Sequence, residues 1–456
     1  MKKLLTLLFV LTLMVSLFTG CGKDDGKSDG DSNGGDKNVA SDNKKERQKI
    51  VINLAKMLDT PEIVQAIEDV QKLEKYSHVD FVLLEDSGDY ETKIAVSIAG
   101  GEQVDILAMY NPIMKDQFAM SGTIQPIAKY LDEIGLDFEE EYGPYAAQSL
   151  YNGEPVMLPN SPTKWALYYN KKIFDDAGEE YLDPNEPITW DEYRALSKKL
   201  TSGEGENKIY GALQLTWPMF WYGEALMKLG GGEQFYNEEG LSNIEDAAFA
   251  EALEATYKMM HEDESIPTHA DNVVSKRPAT AFMNGQYGMF LQGSWLLSWA
   301  TDNETFPRDW DLGVAPMPVD EGSATTKTWG VVGGIGIGGT SANPGLATEI
   351  VVDLIRMSSE NSSVMVPTSQ AVEAKNLFGD VGDQLGGEGL TKEILSTVFS
   401  NPETVMLTEK VSGKNAANYD KVMDEEVEKY FVKEQDLETT INNIKKRADK
   451  VIQEED

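Results

Sequence analysis

The chain has 456 residues, a formal net charge of −37 and a pI near 4.4. Asp and Glu number 77 against 40 Lys and Arg, which excludes a nucleic-acid-binding surface, because phosphate binding needs clustered basic residues. The single cysteine excludes an intramolecular disulfide. The length is sufficient for two large α/β lobes, and the sequence shows no internal repeat.

Residues 1–20 are typical of an export signal. Lys2 and Lys3 precede an apolar run, which ends before Thr19-Gly20-Cys21. That run of about 15 residues is short for a membrane span, which needs about 20. The end of the segment resembles a bacterial lipobox, although Phe18 stands where that pattern has Leu or another aliphatic residue. The resemblance implies a lipid-anchored Cys21 carrying palmitate; an uncleaved anchor or an incidental thiol is the alternative.

Residues 21–48 follow the signal and are dominated by Gly, Asp, Ser, Asn and Lys. This composition predicts a disordered tether, because it offers almost nothing to a core. A flexible coil of this length reaches about 25–30 Å. Its segment from Asp29 to Gly34 matches the first half of a calcium loop, but the required Glu is replaced by Ala40. We therefore predict no metal site there.

A strand–helix alternation begins at residue 49. Strands are predicted at residues 49–55, 79–84 and 104–109, with helices from Thr60-Pro61 and over residues 90–99. This order predicts a parallel sheet, whose second strand is too continuously apolar to have a solvated face. Ligands bind beyond the carboxyl ends of such strands. The predicted rim therefore comprises Asp59, the loop Asp86–Tyr90 and the pair Tyr110-Asn111.

The middle and the end of the chain continue the α/β pattern. An aromatic strand, Trp165–Tyr169, precedes a helix from Lys171, and Thr189 with Glu192 predicts a capping box that opens the next helix. Further helices are predicted at residues 249–263 and 278–284. Apolar residues at three- and four-residue spacing predict a C-terminal helix through Leu437, Ile441, Ile444, Ala448 and Val451.

The segment from Phe282 to Trp295 is the most informative. It ends a helical stretch, passes Asn284-Gly285, continues as an apolar strand and presents Trp295 directly after Gly293-Ser294. A glycine-rich strand, Trp329–Gly339, follows later. Its glycines satisfy the dinucleotide-binding pattern, but they lie inside the strand instead of opening a helix, so close backbone packing is the better interpretation.

These segments, in this order, resemble the bacterial extracellular solute-binding proteins of family 1, which are maltose-binding-protein-like and serve sugar-type ABC importers. Val104-Asp105-Ile106, with Gly122 to Ile127, is similar to the family's early motif, with Val in place of Pro. Leu158-Pro159, Tyr168 to Lys171 and Ile188 to Glu192 resemble its central block. The resemblance implies an α/β, two-lobed, periplasmic-binding-protein-like fold of type II, with hinge-linked lobes and a ligand cleft between them.

The resemblance also implies discontinuous lobes. Lobe 1 would comprise residues 49–160 and 329–366, and lobe 2 would comprise residues 161–328 and the C-terminal helices of residues 367–456. The implied function is capture of a sugar, with an oligosaccharide favoured, and its delivery to the permease subunits of an ABC importer. The protein would be a monomer without a cofactor, anchored at the outer face of the cell membrane.

A neutral sugar needs flat apolar surfaces for its C–H faces and a few polar groups for its hydroxyls. Trp295 matches a family position that commonly stacks on sugar rings, and Trp329 opens the returning strand. For Trp295, for Trp329 and for each of the remaining positions, a core or surface role is the alternative. The complete predicted ligand-binding set is Trp295, Trp329, Trp217, Tyr110, Asn111, Asp89, Trp221, Trp165 and Thr163.

An exported glycoside hydrolase is the alternative function, since a pair of catalytic carboxylates could lie among 77 acidic residues without any sequence signature. The nucleophile-elbow and zinc-protease motifs are absent from the sequence. His78, His261 and His269 are isolated and predict neither a triad nor a metal cluster. We therefore predict a binding protein with no enzymatic activity.

Overall fold

The computed structural model describes residues 47–55, 57, 61–84, 90–323 and 325–454. All of them belong to one compact unit, Glu46–Asp456. The predicted signal, Cys21 and almost all of the predicted tether lie outside the described residues, as do Asp59, Asp86 and Asp89.

Eleven strands form within the described part of the chain. They are β1 (Gln48–Asn53), β2 (Val79–Leu83), β3 (Ile106–Met109), β4 (Leu150–Tyr151), β5 (Glu154–Pro155), β6 (Met157–Asn170), β7 (Tyr210–Leu213), β8 (Tyr287–Gly293), β9 (Leu312–Ala315), β10 (Lys327–Ile337) and β11 (Val405–Thr408). Nine of them build one sheet in the order β2-β1-β3-β10-β6-β8-β7, with β11 beside β10 and β9 beside β6, while β4 and β5 form a separate hairpin.

The first three strands confirm the predicted parallel arrangement, because β1 pairs parallel with both β2 and β3. The prediction that the second strand has no solvated face is wrong. β2 lies at the edge of the sheet, where Asp80 is exposed and pairs with Arg47. Leu83 is also 42% exposed. A run of mostly apolar residues does not distinguish an edge strand from a central strand, because the order of strands in the sheet decides which residues are covered.

Two long antiparallel strands, β6 and β10, connect the two halves of the molecule. The first half of β6 pairs with β10, and its second half, from Trp165 to Tyr169, pairs with β8. Conversely, the end of β10 pairs with β3 and its beginning pairs with β11. Their mutual register shifts between Gly333 and Gly334. Each strand therefore contributes to both halves of the sheet.

Separate apolar cores form on either side of these strands. We call the part around Ile50, Ile106 and Ile350 lobe 1, and the part around Tyr168 and Phe290 lobe 2. This architecture is the two-lobed type II fold that the sequence resemblance predicted. The sequence-based residue boundaries of the lobes stay a prediction.

Sixteen α-helices surround the sheet in the described residues. They are α1 (Pro61–Lys72), α2 (Tyr90–Ala99), α3 (Pro112–Met120), α4 (Ala128–Glu133), α5 (Phe138–Tyr142), α6 (Lys171–Ala177), α7 (Trp190–Leu200), α8 (Met219–Leu229), α9 (Ala247–His261), α10 (His269–Ser275), α11 (Leu296–Thr301), α12 (Pro344–Glu360), α13 (Gly379–Leu385), α14 (Lys392–Phe399), α15 (Ala416–Phe431) and α16 (Leu437–Gln453). In lobe 1, α12 packs against α1 and α4; in lobe 2, α15 packs against α16, and α8 packs against α9.

The capping box predicted at the start of α7 is confirmed. The Thr189 hydroxyl accepts a hydrogen bond from the Glu192 backbone N–H at 3.2 Å, and the Glu192 carboxylate accepts one from the Thr189 backbone N–H at 2.7 Å. The predicted helix over residues 278–284 forms instead as a 3-10 helix, Ala279–Asn284, which ends at Gly285 with φ of 82°. Within the described residues, no helix is long and apolar enough to span a bilayer.

Candidate functional site

An aromatic cluster in lobe 2 surrounds Trp165, which follows the crossing part of β6. The Trp165 ring centroid lies 6.2 Å from that of Trp217, 5.7 Å from that of Trp295 and 5.7 Å from that of Trp329. The three ring pairs meet edge to face, which is a favourable geometry for indole rings. The fold thus brings together four of the predicted site residues.

Trp295 lies at the surface between the lobes. Its ring covers Gly293 at the end of β8, where a Cβ atom would lie 1.9 Å from the ring, so only glycine permits this placement. The ring is partly exposed and lines cavity B, a space of about 130 Å³ that also contacts Met57 and Ile63 of lobe 1 and Met365. An apolar ring accessible between two lobes can stack on a ligand, and the role of Trp295 in ligand binding stays a prediction.

Trp329 and Trp165 lie deeper. Trp329 is 1% exposed, stacks on Trp190 with the ring centroids 6.0 Å apart, and contacts Gly223, where a Cβ atom would lie 1.8 Å from its ring. Trp165 is 2% exposed. In this conformation both indoles are core residues of lobe 2, so a ligand could reach them only after a rearrangement. Their predicted ligand contacts are untested.

Trp217 and Trp221 line a different space, cavity C, of about 240 Å³. It lies between the start of α8 and one face of α15, which contributes Asp424 and Glu428. Trp217 is partly exposed, whereas Trp221 is 5% exposed. Trp217 and Trp221 thus border a cavity that carboxylates also line, and ligand contact by either indole stays a prediction.

Tyr110 and Asn111 follow β3, as predicted, and have local structural contacts. The Tyr110 hydroxyl donates to the Leu54 carbonyl at 3.0 Å, and the Asn111 side chain caps α3 by accepting from the Met114 N–H at 2.9 Å. The next residue, Pro112, lines cavity A, a space of about 690 Å³ between α3 and the start of α15. Tyr110 and Asn111 therefore directly precede a residue of this cavity, and ligand contact by either stays a prediction.

Thr163 joins the two crossing strands. Its hydroxyl donates to the Val331 carbonyl at 3.1 Å and accepts from the Val331 N–H at 3.3 Å. This double contact fixes β6 to β10 at the point where the chain passes between the lobes. Asp89, the remaining member of the predicted set, lies outside the described residues.

Sequence reasoning missed a group of acidic residues in lobe 2. Glu409 directly follows β11, is 5% exposed, and has a buried Oε2 atom without a hydrogen-bond partner. Burial raises the pKa of Glu409 to about 7, against the opposing effects of the Lys410 charge and the Trp165 indole N–H. Trp165 Nε1 forms no regular hydrogen bond. The indole N–H and the Glu409 carboxylate are therefore neighbours that are not joined by a well-formed hydrogen bond.

Two further carboxylates lie near Glu409 on α15. Burial raises the pKa of Tyr222, and the negative charges of Asp420, Glu409 and Asp424 raise it further. All three carboxylates therefore lie close to the Tyr222 hydroxyl. Desolvation by the cavity wall, followed by the charge of Asp420, raises the pKa of Asp424 to about 7. Asp420, Asp424 and Glu428 repeat every four residues, a spacing visible in the sequence, but only the structure shows what this helix face contacts.

Within the described residues, no group of three or more His, Cys, Asp or Glu side chains has the geometry to hold a metal ion. His78, His261 and His269 are each partly buried and lie apart in the chain. His261 Nε2 is 2.9 Å from the Phe431 carbonyl, which indicates a structural contact.

With two lobes joined by crossing strands and an aromatic surface between them, the architecture is that of a solute-binding protein. The profile of the family described as bacterial extracellular solute-binding protein matches residues 59–352, well over half of the chain. The chain belongs to this family. The predicted family and fold class are thereby confirmed.

Among curated relatives, the diacetylchitobiose-binding protein DasA of Streptomyces coelicolor is 24% identical over 364 residues, covering 76% of this chain and 81% of DasA. A binding protein of Brucella abortus is 25% identical over 207 residues, which cover 45% of this chain and 47% of that protein. The chain thus matches only about half the length of the Brucella protein.

Solved structures of solute-binding proteins extend the similarity in fold. The substrate-binding protein Lmo0181 of Listeria monocytogenes, in complex with cycloalternan, has a TM-score of 0.71 at 19% identity, covering 90% of this chain and all of that one. UgpB of Mycobacterium tuberculosis, in complex with glycerophosphocholine, has a TM-score of 0.67 at 15% identity, covering 88% and 98%. At such identities the similarity shows the fold alone.

Proposed function

We propose that this protein captures a carbohydrate between its lobes and delivers it to the permease subunits of an ABC importer. The observation that carries the proposal is the partly exposed Trp295 ring on a cavity bordered by both lobes. A sugar presents C–H faces that pack on an indole ring, while its hydroxyls need polar partners nearby. The names of DasA and of the Lmo0181 complex, both of which refer to saccharides, support this ligand class.

The proposal includes export and anchoring. A signal-like segment that ends in Thr19-Gly20-Cys21 supports lipidation of Cys21, with the folded body held by residues 21–48 at the outer face of the membrane. Labelling cells with a palmitate analogue should mark the wild-type protein and leave Cys21→Ala unlabelled. Equal labelling of both would refute the anchor and leave the ligand proposal intact.

The proposed protein acts as a monomer without enzymatic activity. An exported glycoside hydrolase is the competing function, and membership of a solute-binding family favours binding. Incubation with oligosaccharides followed by chromatography separates the two, since a binding protein returns its ligand unchanged. A hydrolysed product would refute the proposal.

The direct test is a thermal-shift screen of the tether-free body against mono- and oligosaccharides. A ligand that binds only the native state stabilises it and so raises the melting temperature. At a ligand concentration of a hundred times Kd, the free energy of unfolding increases by about 2.7 kcal/mol. We expect a shift with one class of sugar and none with unrelated sugars. No shift with any carbohydrate would contradict the proposed ligand class.

Two tryptophan variants test whether Trp295 contacts the ligand while Trp329 supports the core. We expect Trp295→Ala to lower affinity for the identified sugar by about tenfold or more, because the stacking surface is lost, with a small change in stability. Trp329→Ala should instead reduce the free energy of unfolding by about 4 kcal/mol, because it opens a cavity in the core. Calorimetric titration and chemical denaturation measure the two effects. A large stability loss with unchanged affinity in Trp295→Ala would contradict the assignment.

A further inference from the structure

One face of α15 carries three acids that form no ion pair with any described residue. Asp420, Asp424 and Glu428 follow each other at four-residue intervals, so their side chains share one face, where like charges repel. The ion pairs of this helix with described residues run through Glu425, Glu426 and Lys429 instead. Asp420 also has a buried Oδ1 atom without a hydrogen-bond partner. This face therefore retains repulsion that no ion pair with a described residue relieves.

The acidic face is opposite an aromatic surface. Asp424 and Glu428 line cavity C together with Trp217 and Trp221. A polar group at the same cavity is also unsatisfied: Gln214 is 4% exposed, and its buried Oε1 atom has no hydrogen-bond partner. The cavity thus combines indole rings, carboxylates and a free amide oxygen, all of which accept hydrogen bonds or attract positive charge.

No described cation neutralises this group by direct contact. Lys410 is close enough to lower the pKa values of Asp420 and Asp424 against the effect of burial, but its Nζ atom forms no ion pair within 4.0 Å among the described residues. Across the cavity, burial lowers the pKa of His269 against the opposing charge of Glu428, which disfavours the charged imidazole. Within the described residues, no ion pair neutralises the negative charge of the cavity wall.

Three buried acids in the described part of the protein contrast with this group. Glu141 binds Arg356 and Ser369, and Asp105 accepts the Val51 N–H at 2.8 Å. The buried Glu426 is bound by several donors. These acids are satisfied within the fold, whereas Asp424 and Glu428 are exposed residues that line cavity C, where a ligand can reach their carboxylates.

We propose that cavity C binds a positively charged nitrogen of the ligand, with Asp424 and Glu428 as its counter-charges and the indoles of Trp217 and Trp221 as its aromatic contacts. Cations bind preferentially over indole rings, and a carboxylate within the same cavity supplies charge and hydrogen-bond acceptors. This inference rests on the proposed function for the remainder of the ligand, and it narrows the ligand to an amine-bearing polyhydroxylated molecule. The same charges disfavour phosphate esters and other anions.

The test compares two disaccharides that differ in charge: chitobiose, with free amino groups, and its neutral form, diacetylchitobiose, in which both amines are acetylated. We expect calorimetric titration to show that the wild-type protein binds chitobiose at least about tenfold more tightly, and that added salt weakens this preference. Equal or weaker binding of chitobiose would overturn the inference.

A matched pair of variants locates the effect. Asp424→Asn with Glu428→Gln should remove the preference for chitobiose while changing affinity for the neutral disaccharide by less than about twofold. Glu238→Gln with Glu239→Gln alters the net charge of lobe 2 equally at an exposed turn away from the cavity and should leave the preference unchanged. An equal loss of the preference for chitobiose in both double variants would overturn the inference. The overall negative charge of the protein would then explain the preference without a local site.

Choline, a cation without a sugar, separates this inference from the proposed function. Binding of choline that Asp424→Asn with Glu428→Gln abolishes, without binding of any saccharide, would support the cation site and refute the carbohydrate proposal. Binding of neutral saccharides alone would support the carbohydrate proposal and overturn the cation site. Failure of both choline and chitobiose to bind would also overturn it.

Discussion

Two faces of helix α15 place carboxylates only two residues apart in opposite environments. Glu426 faces α16 and is 2% exposed, and its carboxylate is bound by Lys429 at 2.7 Å, by Asn443 at 3.2 Å and by Arg447. Asp424 faces cavity C and forms no ion pair within the described residues. Glu426 is thus enclosed together with its donors, whereas Asp424 is exposed and has no bonded cation within the described residues.

The pKa values express the same contrast. Burial raises the pKa of Glu426, but hydrogen bonds from Lys429, Arg447, Gln435 and Asn443 outweigh it and lower the pKa to about 2. At Asp424, desolvation and the neighbouring Asp420 raise the pKa to about 7. The first environment stabilises a negative charge through donors of the fold, whereas the second, an exposed position beside Asp420, disfavours it.

The largest expected effect is on the satisfied face. Glu426→Gln should reduce the free energy of unfolding by about 3 kcal/mol, because it leaves buried donors without their charged acceptor. The adjacent Glu425→Gln is the matched control: its pair with Arg447 is about 40% exposed on both sides, so the loss should stay within about 1 kcal/mol. Urea denaturation measures both. Equal losses would remove the distinction between the two positions.

The pH dependence sharpens the assignment of Glu426. Its folded pKa lies below the unfolded value of 4.5, so its stabilising contribution is complete above pH 4.5 and is lost as pH falls towards 2. The stability deficit of Glu426→Gln relative to wild type should therefore be largest at pH 6 and should shrink between pH 5 and pH 3. A deficit independent of pH would indicate a packing defect instead of a lost charge interaction.

Asp424 should behave in the opposite way and with a smaller amplitude. Its folded pKa lies above the unfolded value of 3.8, so ionisation opposes folding increasingly as pH rises from about 4 to about 7. Asp424→Asn in the unliganded protein should equal wild type in melting temperature near pH 4 and exceed it slightly at pH 8. A lower melting temperature at pH 8 would show that Asp424 has a structural partner, and the comparison between the two faces would fail.

A stabilising substitution that removes binding would distinguish a functional acid from a structural one. Functional groups are held in unfavourable environments because a ligand completes them, whereas structural groups are completed by the fold itself. Glu409 shares an elevated pKa with Asp424, but it is buried, and its Oε2 atom lacks a hydrogen-bond partner.

The sequence by itself determined the family, the parallel start of the sheet, the capping box of α7 and the position of Trp295 at the end of β8. Each of these depends on local spacing or on a motif whose order along the chain is specific, such as Gly293-Ser294-Trp295. The four-residue repeat of Asp420, Asp424 and Glu428 was equally visible, because helical periodicity alone places them on one face.

Only the tertiary structure decided which surfaces these faces contact. The apolar β2 became an edge strand because nothing pairs with its outer side among the described residues, and Trp329 became a core residue because Trp190 and Gly223 pack on it. The contrast between Glu426 and Asp424 arises in the same way, from α16 on one side and Trp217 on the other. Burial and pairing depend on contacts between distant segments, and residue spacing along one segment does not encode them.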